Sequence, residues 1–236
     1  MNGQVQQNAG SRVAVRIGSG CAVVGALVFA AFRLSHGDLP ADDPRGALQF
    51  ITEHSFYAGV HLGAIVGAVL LVGAVVAFAH GYPVGPARVL SNLAAASAVA
   101  GLGVFAFEHS ADGVAGEGLA EAWAADGADR AAVELAAHTA FEILRGPSLV
   151  ALMLMFGAPM LLLARPLLQQ RYPAWLVWAG AVLAAVLVIG GFGLLFDRDL
   201  FPGAIVYGLV ASVLVPLWSA TLGVIMWRRS SPEPAR

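Results

Sequence analysis

The chain has 236 residues, of which 58% are hydrophobic and 12% charged, against about 45–50% and about 25% in ordinary soluble domains. A mean hydropathy of +0.76 leaves too few polar side chains to coat a soluble sphere of this size, so the apolar excess has to face lipid. The net charge of −2 and the lone Cys21 exclude a basic nucleic-acid surface, a disulfide framework and any Cys-based metal site.

Taken in chain order, six apolar runs are long enough to cross a bilayer, over 13–34, 57–79, 86–107, 146–164, 174–196 and 203–227. They predict an all-α, polytopic bundle of six transmembrane helices occupying 12–229, with short tails at 1–11 and 230–236. Arg12 and Arg16 ahead of the first run and Ala30-Ala31 near its end also fit a cleavable leader, but the length favours a retained helix. Trp175, Trp178, Trp227 and Tyr172 read as an interfacial belt. Gly18, Gly20 and Gly25 read as helix packing, and the tail from 230 onward reads as disordered.

All 13 basic residues are Arg, which removes lysine Schiff-base and P-loop chemistry. Eight of these Arg, among them Arg88, Arg165, Arg171, Arg228, Arg229 and Arg236, fall on the side of the termini, whereas 14 of the 15 acidic residues, all but Glu233, fall on the other. The positive-inside rule then puts both termini in the cytoplasm of a bacterial-type membrane. The connections over 35–56 and 110–130 become outer loops. The second loop, with Asp112, Glu117, Glu121, Asp126 and Asp129 around Trp123, reads most plainly as solvated and more sharply as a lid over a site.

Ionisable residues in or beside spans are expensive and mark function. Counting about 20 residues from the opposite end of each helix brings His61, Glu108 and Glu142 to one level near the outer edge. Glu134, His138, Glu142 and Arg145 lie on one helical face, above a break expected at Gly146-Pro147. Glu53 and His54 precede the second span and His109 follows Glu108.

This set, with His54, His61, Glu108, His109, His138 and Glu142 as ligands, suits a transition metal such as iron, zinc or manganese. Glu142, Arg145 and Glu108 are the candidate catalytic groups, for proton transfer and charge stabilisation. The function this implies is a metal-dependent membrane enzyme acting on a small lipophilic substrate. Haem held by His61 with His138 or His54 with His109, a proton-coupled or metal transporter, and an accessory subunit bound to a partner membrane protein are the alternatives. The partners this implies are the lipid bilayer and a small lipophilic substrate, with a partner membrane protein under the accessory reading and no nucleic acid.

Overall fold

The computed structural model describes residues 2–37, 39–40, 43–81, 85–197, 200 and 203–230. Among them every regular element is helical. Their order is α1 (Asn2–Ser35), α2 (Pro44–Glu53), α3 (Tyr57–His80), α4 (Pro86–Ala124), α5 (Arg130–Leu152), α6 (Ala158–Gln169), α7 (Ala174–Ala185), α8 (Gly191–Phe196), α9 (Gly203–Leu209) and α10 (Val215–Ser230). The pairs α5–α6, α7–α8 and α9–α10 are each joined without a loop by a π-helical turn, at Met153–Gly157, Val186–Gly190 and Val210–Leu214.

Six helical stretches are long and apolar enough to cross a membrane: Arg12–Ser35, Tyr57–His80, Pro86–Ala124, Arg130–Gln169, Ala174–Phe196 and Ile205–Ser230. Such a pattern is that of a multi-pass membrane protein. Large apolar side chains such as Leu27, Leu62, Val182 and Ile189 stay exposed around the bundle, as lipid-facing positions must.

Three boundaries differ from the sequence reading. The stretch at 1–11, expected as a tail, is helical from Asn2 onward and continues into the first span. The acidic segment 110–130, expected as a loop, is helical to Ala124, leaving only 125–129 as a connection. The expected break at Gly146-Pro147 is absent, because α5 runs through Pro147 and departs from α geometry only at Met153. Arg198, Asp199, Glu233, Arg236 and the tail beyond Ser230 lie outside the described residues.

The core forms around Phe29, Phe105 and Phe156, whose rings meet at centroid distances of 5.7 and 5.5 Å. Close helix approach is what makes this packing work. A Cβ at Gly67 would lie 2.5 Å from the backbone nitrogen of Phe29, so only glycine lets α3 touch α1 there. Gly18 and Gly25 likewise sit against α3, as the packing reading expects, while Gly20 faces open space.

At the end carrying the termini, Arg229 donates to the carbonyls of Gln170 and Arg171 at 2.9 and 2.6 Å and stacks over Tyr172. This closes the carbonyl end of α6, where Arg171 takes a left-handed turn with φ of 56°.

The opposite end carries a second, smaller core. Leu48 and Ile51 of α2, Tyr57 of α3, Ala120 of α4 and Ala137 of α5 are buried together. Asp43 caps α2 by accepting from the Gly46 amide at 3.0 Å, with Pro44 in its first turn. The short helix is amphipathic and lays its apolar face on α4 and α5. The segments between spans thus fold into a cap.

Candidate metal centre

Beneath the cap, α1, α3 and α4 bring three potential ligands together. His36 follows α1, His61 lies in the second turn of α3, and Asp112 sits in the extension of α4. One donor atom from each lies within 4.8 Å of the others. His61 Nε2 is 3.0 Å from Asp112 Oδ2, and His36 Nε2 is 4.0 Å from the same oxygen. The His61 side chain is 1% exposed, while those of His36 and Asp112 are about 15% exposed, so the group is largely buried with two of its members partly accessible.

The orientation of both imidazoles follows from backbone contacts. His61 Nδ1 lies 2.9 Å from the carbonyl of Tyr57 one turn earlier, and His36 Nδ1 lies 3.2 Å from the carbonyl of Gly37. A carbonyl only accepts, so both Nδ1 atoms donate and both Nε2 atoms are left to face Asp112. Metal-bound histidines are held in the same way, with the second ring nitrogen tied to a carbonyl or carboxylate.

Tyr57 supports the group from beside it. Its hydroxyl donates to Asp112 Oδ1 at 3.3 Å and lies 3.5 Å from His36 Nε2. Tyr57 is itself buried and starts α3, whose first-turn Ala58 amide donates at 2.7 Å to Glu117 of α4. Glu117 and Asp112 therefore tie the acidic part of α4 to the first turn of α3. Gly113 and Gly116 let the two helices meet there, since a Cβ at either would press on His61 or Tyr57.

A second buried chain adjoins the first. Arg33 Nη1 donates to His109 Nε2 at 3.2 Å, which fixes the other nitrogen, Nδ1, as the donor to Glu108. The rings of His61 and His109 meet edge to face at 5.4 Å. Asp112, Glu108 and Arg33 also line a cavity of about 410 Å³ that extends to Glu142 and Arg145 on α5.

The residues expected as ligands divide accordingly. His61 belongs to the triad. Glu108 and His109 are buried beside it but engage each other, and Glu142 lies across the cavity with Arg145. His54 is exposed, with Nδ1 donating to the Phe50 carbonyl and its ring stacked on Phe50. His138 is exposed too, and Glu134 accepts from the indole of Trp123 at 2.9 Å. The helical stripe on α5 is therefore split between cavity and surface. Each pairing considered for haem joins a buried imidazole to an exposed one.

His36 and Asp112 complete the triad and were outside the expected ligand set. A signal for each was present: His36 follows Arg33 by three residues, and Asp112 follows Glu108 by four, both helical-neighbour spacings. No family model, curated protein or solved structure matches the chain.

Proposed function

We propose that the protein is a metal-dependent membrane enzyme whose centre is built by His36, His61 and Asp112, with Tyr57 as the supporting hydroxyl. The observation that carries this reading is the approach of His61 Nε2 to Asp112 Oδ2 at 3.0 Å while His61 Nδ1 is committed to a backbone carbonyl. Nε2 and the carboxylate oxygen are both potential metal donors, and with His36 they stand close enough together to be ligands of one ion. Two imidazoles and a carboxylate favour zinc, iron or manganese over calcium or magnesium.

His36, His61 and Asp112 would hold a tetrahedral ion by three protein donors, the number found in catalytic rather than structural zinc sites. Bound there, the ion supplies Lewis-acid chemistry, polarising a substrate oxygen or activating water. The chain's own residues do the rest. Tyr57 orients Asp112, α2 and the extended α4 cover the site, and the adjoining cavity admits a small lipophilic substrate. With both termini cytoplasmic, as the Arg distribution favours, the centre works at the outer leaflet.

Elemental analysis of protein purified in mild detergent after growth with supplied metals tests this reading. About one equivalent of a transition metal per chain is expected, removable by chelation and restored by the metal alone. Less than about a tenth of an equivalent would overturn it.

A further inference from the structure

The cavity beside the triad has a charge pattern that the metal reading does not use. Arg33 of α1 and Arg145 of α5 both line it. A guanidinium carries five N–H donors, yet Arg33 spends one on His109 and Arg145 makes one long contact of 3.4 Å to the Leu194 carbonyl. Glu108 and Asp112 line the same space and attract Arg33 through it, but neither makes a direct ion pair with Arg33 or Arg145. Both guanidinium groups thus keep N–H donors for an oxygen-rich ligand in the cavity. The remaining wall is apolar, with Phe141, Leu149, Leu152 and Leu194.

We infer that this cavity binds an amphiphile by its oxyanionic headgroup, held between Arg33 and Arg145, with the hydrocarbon chain on the Phe141–Leu194 side. Planar guanidinium groups match carboxylate and phosphate oxygens in two-point fashion, and the cavity volume falls in the usual small-ligand range of about 300–1,000 Å³. The headgroup chemistry is shared by a long-chain carboxylate and by the phosphodiester of an anionic lipid. As a binding site the cavity stands on its own residues; as the substrate class of the centre it rests on the metal-enzyme reading, because Asp112 belongs to both.

The test measures equilibrium binding of labelled oleate to the full chain in a neutral detergent, against oleyl alcohol as the uncharged isostere. Wild type should bind oleate saturably and at least about tenfold more tightly than the alcohol, a discrimination read without any variant. Arg145→Gln should lose about tenfold in oleate affinity, and Arg145→Lys should recover part of it. Competition by dioleoylphosphatidylglycerol would assign the phosphodiester as the source, and its failure to compete would assign the carboxylate.

Equal affinity for oleate and oleyl alcohol, or unchanged oleate affinity in Arg145→Gln, overturns the inference. Measuring metal content on the same samples separates the two readings. Charge-selective oleate binding by a chain that never takes up metal removes only the enzyme reading, whereas a metal-loaded chain with no oleate selectivity removes only this one.

Discussion

His61 Nε2 and Asp112 Oδ2 face each other at 3.0 Å across the α3–α4 interface, and the Tyr57 carbonyl behind the ring fixes which nitrogen looks inward. Replacing Asp112 by Asn keeps the size and removes the charge that a divalent ion needs. Asp112→Asn should therefore lose nearly all bound metal, whereas Glu142→Gln and His138→Gln should retain it, as read by elemental analysis of the three variants beside wild type. Equal loss in Asp112→Asn and Glu142→Gln would move the centre into the cavity.

Tyr57→Phe removes only the hydroxyl that touches Asp112 and His36. Ring packing against Leu48 and Ile51 in the cap core persists, so the melting temperature should fall by no more than about 1 kcal/mol of stability implies. Metal affinity should drop by about 10–100-fold, the usual effect of losing a group that orients a ligand. A competitive chelator titration separates the two effects.

Glu117 plays a structural part that resembles a helix cap delivered from another helix. Its carboxylate accepts from the Ala58 amide at 2.7 Å, in the first turn of α3, where Phe56 provides no side-chain cap. Glu117→Ala should cost about 1–3 kcal/mol locally. The effect should appear as faster hydrogen exchange at the start of α3 with little change near His80, and uniform protection across both regions would count against it.

Much of the bundle was legible in the sequence because the hydrophobic runs are long and nearly free of charge, so length alone defines the spans. The candidate site was legible only in part. His61, Glu108 and His109 come close together because each lies at or near a span end, where counting turns gives depth. Asp112 escaped because its Gly- and Ala-rich acidic surroundings look like a loop, and what makes them helical is tertiary. Gly113 and Gly116 meet α3, Ala120 meets the cap core, and Glu117 caps a neighbour. On α5 the error ran the other way. Their spacing puts Glu134, His138 and Glu142 on one helical face, but the three look toward different surroundings, because α4 packs along part of α5 and leaves the rest uncovered.

Close approach of α1 and α3 supplies a further expectation. A methyl group at position 67 would meet the Phe29 backbone nitrogen at 2.5 Å, and a backbone atom cannot swing aside as a side chain can. Gly67→Ala should destabilise the bundle by about 1–3 kcal/mol, measured as a lower unfolding midpoint in detergent. Gly20→Ala, at a position with nothing within 4 Å, should leave the midpoint in place.

The three π-turns, at Met153–Gly157, Val186–Gly190 and Val210–Leu214, can be viewed as length held in reserve. A π-turn accommodates one residue more than the α-helix around it, so removing one residue there allows the segment to relax to regular α geometry with its flanks still aimed as before. The same deletion in an ordinary stretch, such as the middle of α3, rotates everything beyond it by about 100° and turns core positions toward lipid. Single-residue deletions should thus be tolerated in α5–α6, α7–α8 and α9–α10 at these turns and nowhere else along those spans. The half of the molecule that lacks the triad is then the half whose helices can shorten by a residue without losing their facing, while α1, α3 and α4, which carry the ligands, contain no such slack.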